Sequence, residues 1–171
     1  MRIALLMIFL AASAFAQDQS AVAATACGPK DTDFEVKLDK SKHALAPPEP
    51  GKARVYFIQD IGRVSCIGAC VKTKIGMDGT WVGAVRRNSY FSISVEPGEH
   101  HVCATPGPVI ALVHFTAEAG KVYYFRTRAF GGENQSLFNF DPLDSDQGQH
   151  LIASYPLSVF APKSVSGKTV Q

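Results

Sequence analysis

Apolar and polar side chains alternate along much of the segment from Gly51 to Phe130, and this pattern predicts short β-strands. The clearest alternation runs from Ser89 to Glu96, which predicts a strand with one dry face and one wetter face. Residues 53–59 are rich in Val, Tyr, Phe and Ile, which indicates a central strand buried on both faces.

Turn sequences separate these strands. Asp78-Gly79, the segment EPGE at 96–99 and the segment EAGK at 118–121 each lie between two such runs, as in β-hairpins. About seven short strands with regular turns predict an all-β fold, an antiparallel β-sandwich, with a small closed barrel as the alternative. Two stacked sheets would remove the apolar strand faces from water.

One short helix is predicted near the C-terminus. Asp144 followed three residues later by Gln147 is typical of a capped helix start, although Gly148 weakens the helical pattern. The neighbouring Asp141 and Asp146 also allow a calcium loop, but the distal glutamate of such a loop is missing. We therefore favour helix capping over a metal site here.

The N-terminus has the pattern of a secretory signal peptide over residues 1–16. Arg2 precedes an apolar run at 3–10, and a small-x-small site predicts cleavage between Ala16 and Gln17. A membrane anchor is less favoured, because about 20 apolar residues are needed to cross a bilayer. An exported protein, periplasmic or extracellular, is expected.

The rest of the chain divides into three regions. Residues 17–50 form an extended N-terminal arm, in which the alternating segment 34–38 is suited to a short edge strand. Residues 51–160 form the β-sandwich domain, and residues 161–171 a disordered tail.

Charge and hydropathy exclude several classes of protein. With 17 basic and 15 acidic residues, the chain lacks the cationic footprint of a nucleic-acid-binding or membrane-surface protein. After residue 20 the longest apolar stretch, 109–113, is too short to span a bilayer, so no transmembrane segment is expected in the mature chain. Lipid attachment at Cys27 is disfavoured, because the apolar leader ends well before it.

Four cysteines in an exported chain indicate two disulfides. Three pairings exist, and we favour Cys27–Cys103 together with Cys66–Cys70. A redox or metal role for Cys66 and Cys70 is less favoured, because three residues separate them and no helix start is indicated there.

No recognisable catalytic, phosphate-binding or dinucleotide-binding motif occurs, so we predict a non-enzymatic protein without a cofactor. His100 and His101 should point to opposite faces of one strand. One of them can meet His114 across the sheet, although a polar surface role is favoured over a metal site.

Two further groups could contact a ligand. Arg126 and Arg128 lie two apart on one strand face and could grip an anion, although such arginines more often face solvent. Trp81 and other aromatic residues could form a sugar- or partner-binding strip instead of packing. The candidate ligand contacts are therefore Trp81, His101, His114, Arg126 and Arg128.

Three segments carry a family resemblance: GKARVYFIQD at 51–60, KIGMDGTWVGAVRRNSYFSISVEPGEHHVCA at 74–104 and FTAEAGKVYYFRTRAF at 115–130. Together they resemble the DUF2846 family of small exported bacterial proteins of unknown function. The short VEPGEH segment is also similar to PEGA-type surface modules. The resemblance implies an extracytoplasmic β-sandwich and supplies no activity or catalytic residues.

The sequence thus predicts an exported, non-enzymatic β-sandwich that binds an envelope protein or a cell-wall glycan. Two alternatives stay open: an envelope hydrolase with an unrecognised His/Asp/Arg site, and a thiol- or metal-dependent stress protein. A concave pocket that joins His101 or His114 to acids and arginines would favour the hydrolase. The oligomeric state is not predicted.

Overall fold

The computed structural model describes residues 26–41, 45–61, 72–106, 109–131 and 136–163. Within these ranges the strands are β1 (Phe34–Asp39), β2 (Ala53–Gln59), β3 (Thr73–Met77), β4 (Thr80–Val85), β5 (Ser89–Val95), β6 (Gly98–Thr105), β7 (Ala111–Ala117), β8 (Val122–Gly131), β9 (Ser136–Leu143) and β10 (Leu157–Pro162). One helix, α1 (Ser145–Ser154), precedes β10. The predicted signal peptide with Ala16 and Gln17, and the cysteines Cys66 and Cys70, lie outside the described residues.

The strands form two stacked sheets. Sheet A has the order β1-β10-β5-β2-β8-β9, and sheet B has the order β4-β3-β6-β7. Most neighbours are antiparallel, but β2 pairs with β8 in parallel, and β10 meets β5 in parallel. The described strands form no closed barrel. The predicted all-β sandwich with one short C-terminal helix is therefore confirmed.

Strand β10 is the element that the sequence pattern missed, and it extends two residues into the predicted tail. It forms because β1 pairs with it along its whole length, from Phe34 opposite Pro162 to Asp39 opposite Leu157. The alternating segment of the N-terminal arm is thus an edge strand of sheet A, as its pattern suggested. No helix in the described ranges is long and apolar enough to cross a bilayer.

The inner faces of both sheets meet in one apolar core. Its buried members are Ala53, Val55, Phe57, Ile75, Met77, Val85, Phe91, Val95, Val102, Ala104, Ala117, Phe125 and Phe140. The Phe57 ring is central, since its centroid lies 5.3 Å from that of Phe91 and 6.1 Å from that of Phe125. Alternate residues of each strand supply this core, so the opposite faces remain available for other contacts.

Helix α1 covers part of the outer face of sheet A. Its Ile152 packs with Tyr56, Ile58 and Tyr124 in a second apolar cluster. The helix begins as predicted: both carboxylate oxygens of Asp144 accept hydrogen bonds from Gln147, at 2.8 Å from the backbone N–H and 2.7 Å from the side-chain amide. The capping interpretation of this acidic segment is confirmed.

Candidate functional site

Residues 26–33, here called the strap, cross the outer face of sheet B. Cys27 of the strap is bonded to Cys103 of β6, with a Cα–Cα distance of 5.5 Å, which is the pairing that the sequence favours. Gly76 of β3 lies beneath this disulfide: a Cβ there would sit 2.9 Å from both Cys103 Sγ and the Ala26 carbonyl oxygen. The strap can lie flat on the sheet because this position has no side chain.

Trp81 and Lys74 hold the strap on the sheet. The indole N–H of Trp81 donates to the Pro29 carbonyl at 2.6 Å. Lys74 Nζ donates to the Thr32 carbonyl at 2.8 Å and lies 4.2 Å from the centroid of the Trp81 ring. Burial lowers the pKa of Lys74, although nearby Asp33 opposes that shift. The predicted ligand candidate Trp81 is therefore a contact of the strap.

The end of the strap is fixed by charge. The Asp33 carboxylate accepts a hydrogen bond from Lys163 at 2.8 Å and another from Lys72. These two hydrogen bonds hold the pKa of Asp33 well below its ordinary value, and the bond with Lys163 has the larger effect. The strap is thus tied to sheet B by Lys72 and to the C-terminal end of β10 by Lys163.

His101 and His114 face each other across β6 and β7. They are directly opposite in the antiparallel register, and their ring centroids are 4.8 Å apart. Cys103, two residues along β6, carries the strap disulfide, so both imidazoles lie on the outer face of sheet B. Glu99 shares this face, and its Oε2 is 3.8 Å from His114 Nε2.

His100 points to the opposite face, as the alternation predicts. Its Nδ1 lies 2.6 Å from Asp78 Oδ2 and its Nε2 lies 2.8 Å from the Glu96 carbonyl oxygen, so both ring nitrogens are engaged. Burial disfavours the charged imidazole, but these hydrogen bonds raise the pKa of His100 above its ordinary value. His100 is a structural histidine and does not belong to the His101–His114 pair.

Strand β7 is an outermost strand of unusual composition. It pairs with β6 on one side, and no described strand pairs with its other side. Its sequence, ALVHFTA, contains no Lys, Arg, Asp, Glu or Pro. Val109 and Ile110, which lead into it, are 45% and 47% exposed. An uncharged edge with exposed apolar residues is suited to pairing with another strand.

The other outermost strands carry features that discourage such pairing. β1 contains Glu35 and Lys37, and β9 contains Asp141 and Pro142. The register of β4 shifts against β3. Among the described edges, β7 is therefore the best suited to receive a partner strand.

Arg126 and Arg128 lie on the outer face of sheet A, across the sandwich from the histidine pair. Arg126 Nη1 is 3.9 Å from Asp60 Oδ2, and Arg128 Nη2 is 3.4 Å from Asp141 Oδ2. The Arg126 side chain is only 18% exposed, so the favoured solvent-facing interpretation does not fit it. Both arginines meet carboxylates, which leaves little positive charge for an anionic ligand.

Tyr155, just after α1, completes this cluster, because its hydroxyl donates to Asp60 Oδ1 at 2.8 Å. Burial, and then the bond to Asp60, raises the pKa of Tyr155 above its ordinary value. Neither Asp60 nor Tyr155 is among the site residues predicted from the sequence. They are 95 residues apart in the chain, and no local spacing connects them.

The chain is similar to known proteins whose function is not described. Residues 49–139 match the model of a family described as "Protein of unknown function (DUF2846)". The chain belongs to the DUF2846 family. A protein of Haemophilus influenzae, described as "Uncharacterized protein", is 22% identical over 112 residues, which cover 66% of this chain and 64% of that relative. No solved structure matches the chain.

The DUF2846 region runs from just before β2 into β9. It contains β7 and the His101–His114 pair, together with both arginines. It leaves out the strap, β1, α1 and β10. The edge strand and the histidine pair are thus parts of the family region itself, whereas one half of the disulfide comes from outside it.

An open groove of about 600 Å³ lies next to the C-terminal end of α1. Lys40 and Ser41 form one wall, and residues 152–156 form the other. The groove includes neither His101 nor His114, and neither Arg126 nor Arg128. This groove therefore does not join histidines to acids and arginines.

Proposed function

We propose that this DUF2846 protein is an exported, non-enzymatic β-sandwich module that binds an envelope protein, a strand of which pairs with β7. Export is supported by the N-terminal signal-peptide pattern and by the Cys27–Cys103 disulfide, since disulfides persist in oxidising compartments. The binding surface consists of β7 and the two exposed residues before it, Val109 and Ile110.

The observation that carries the proposal is the uncharged edge of β7. An extended peptide that adds to a sheet edge gains affinity from main-chain hydrogen bonds and specificity from alternate side chains. Leu112, His114 and Thr116 would meet the partner on the outer face, and Val109 and Ile110 would extend the contact.

An envelope protein is favoured over a cell-wall glycan because of Trp81. Glycan recognition on a β-sandwich depends on an accessible aromatic face, and Trp81 is the sole tryptophan of the chain. Its N–H is bonded to Pro29, and the Lys74 ammonium lies over its ring. These contacts occupy the groups that a sugar would use.

The hydrolase alternative has weaker support. Its assumed site needs histidines next to acids and arginines, but the His101–His114 pair and the Arg126–Asp60 pair lie on opposite outer faces of the sandwich. The thiol-based alternative needs a free cysteine. Cys27 and Cys103 are bonded to each other, and the other two cysteines lie outside the described residues.

The surface is tested by charge substitution. We expect the double variant Val109→Asp/Ile110→Asp to lose the envelope protein that the wild type retains from an envelope extract, because carboxylates oppose burial of this edge. The matched control is Val159→Asp, an equally exposed apolar residue on β10, at 50% exposure. Retention of the same protein by the double variant would contradict the proposal.

Two readouts identify the mode of binding. Hydrogen exchange should show protection of the β7 amides in the complex, since strand addition pairs them. Titration with peptidoglycan fragments should leave the fluorescence of Trp81 unchanged. A saturable fluorescence change with glycan, and no protection of β7, would favour the glycan instead.

A further inference from the structure

We propose that His101 and His114 form a binding site for a divalent transition metal, Cu²⁺ or Zn²⁺, on the outer face of sheet B, with Glu99 as the third ligand. The site shares His114 of β7 with the surface proposed for the partner strand, but the metal proposal does not depend on the proposed function. The sequence alone favours a plain polar role for these histidines, and their observed pairing changes that balance.

The backbone places the three residues on the same face of sheet B. His101 and His114 are register partners on antiparallel strands, which lie about 4.8 Å apart. Glu99 is two residues before His101 and therefore projects from the same face of β6. A packed sheet fixes these directions more firmly than a loop would.

The spacing of the rings suits a shared metal. Metal–nitrogen bonds of about 2.0–2.1 Å, at an angle of about 90–110°, place two imidazole centroids about 4.5–5 Å apart. The observed separation of the His101 and His114 centroids is 4.8 Å. Rotation about the side-chain torsions is enough to turn one nitrogen of each ring toward a common point.

Glu99 is close enough to complete the set. Its Oε2 already lies 3.8 Å from His114 Nε2, and the side chains of His114 and Glu99 are 51% and 73% exposed. No three potential ligands surround one point in the described part of the chain. Binding therefore requires the exposed Glu99 side chain to swing inward, and water to fill the remaining coordination positions.

The donor set indicates the class of metal. Two imidazoles and one carboxylate suit Cu²⁺ and Zn²⁺ better than the oxygen-seeking Mg²⁺ and Ca²⁺. At equal geometry Cu²⁺ binds more tightly than Zn²⁺. His100 is an internal contrast, because both of its nitrogens are engaged with Asp78 and Glu96.

The test is a titration of the tag-free, chelator-treated protein with Cu²⁺ and with Zn²⁺ by calorimetry. We expect one equivalent of Cu²⁺ to bind, with weaker binding of Zn²⁺. Loss of an outer-shell partner costs about 10–100-fold in metal affinity, so His101→Ala and His114→Ala should each cost at least that much. Glu99→Gln should cost less than either.

Electron paramagnetic resonance of the Cu²⁺ complex distinguishes this site from others. The wild type should show coupling to two imidazole nitrogens, and each single histidine variant should show fewer. His150→Ala, which removes an exposed histidine of α1, is the matched control and should bind like the wild type. Equal binding by the wild type and both single histidine variants, or no binding by the wild type, would overturn the proposal.

Discussion

Two neighbouring histidines of β6 have opposite chemical surroundings because a strand turns alternate residues to opposite faces. His100 is held between Asp78 and the Glu96 carbonyl at the end of the sandwich, whereas His101 lies on an outer face beside His114. Asp78 also occupies the turn between β3 and β4 with φ of 49°, a conformation that aspartate and asparagine tolerate. One aspartate thus forms part of the turn and pairs with the imidazole.

The His100–Asp78 pair makes the stability of the fold depend on pH. The His100 pKa is raised, so its contribution is complete below about 6.5 and is lost as pH rises through the higher folded value. Burial disfavours the charged Asp78 carboxylate, but the hydrogen bonds with His100 and with the His101 N–H together outweigh burial and lower the pKa of Asp78. The contribution of Asp78 to stability is therefore lost only when the pH falls through this lowered pKa. The pair should stabilise the fold most at mildly acidic pH.

We predict that Asp78→Asn lowers the free energy of unfolding by about 1 kcal/mol at pH 5.5 and by less at pH 8. Asparagine keeps the turn geometry, and its one carbonyl oxygen can still accept from the His101 N–H, so the change falls on the bond to His100. Urea denaturation at the two pH values measures the effect, and Asp146→Asn, in the first turn of α1, is the control for an exposed carboxylate. An equal loss at both pH values would argue against the ion pair.

Helix α1 depends on a glycine at its contact with sheet A. A Cβ at Gly148 would lie 2.3 Å from Tyr124 Cγ, so the helix backbone approaches the tyrosine ring too closely for any side chain. The intrinsic preference of helices favours alanine over glycine by about 1 kcal/mol. The contact with Tyr124 should override that preference.

We therefore predict that Gly148→Ala destabilises the protein by about 1–3 kcal/mol, the usual cost of overpacking, although it improves helix propensity. His150→Ala, at an exposed position of the same helix, should change stability by no more than about 0.5 kcal/mol. Thermal and urea unfolding decide the sign. A gain in stability for Gly148→Ala would mean that α1 moves away from Tyr124 at little cost.

The elements were predictable to different degrees for physical reasons. Alternation located β2 to β8, because each strand buries one face or both, and the Asp144–Gln147 pair located the start of α1. The same Gly148 that weakened the helix prediction proved to be the point of closest contact with the sheet. Strand β10 was missed because its pairing with β1 joins segments far apart in the sequence.

At the scale of the whole molecule, the disulfide joins the N-terminal arm to the centre of sheet B. Cys27 and Cys103 are 76 positions apart in the sequence, so their bond restricts a long segment of the unfolded chain. The pairing of the cysteines could be proposed from the sequence. That the strap crosses the sheet over Gly76 could not, since it depends on three-dimensional proximity.

Replacement of both cysteines should lower the free energy of unfolding by about 4–5 kcal/mol in the loop-entropy model. We predict this for Cys27→Ala/Cys103→Ala, measured by urea denaturation under oxidising conditions. The emission of Trp81 should also shift to longer wavelength, because the strap no longer covers it. Cys66→Ala/Cys70→Ala is the control, and it should cost less because any bond between these residues closes a short loop. Equal losses for the two pairs would contradict this account.

The site was only partly visible in the sequence. A meeting of His100 or His101 with His114 could be predicted from two consecutive strands. The ion pair of Arg126 with Asp60, which also accepts a hydrogen bond from Tyr155, joins three distant segments instead. The uncharged composition of β7 could be read from the sequence. Its place at the edge of sheet B depends on the order of strands, which alternation does not specify.

The pairing of β1 with β10 sets the order in which the protein can be completed. The first described strand finds its neighbour among the last described residues, and β10 meets β5 at a single register pair, Leu157 with Tyr90. In a polypeptide that leaves a ribosome or a translocation channel N-terminus first, Phe34 and Val36 therefore lack their partner strand until residue 157 has emerged. This side of sheet A can therefore close only after β10 has been made.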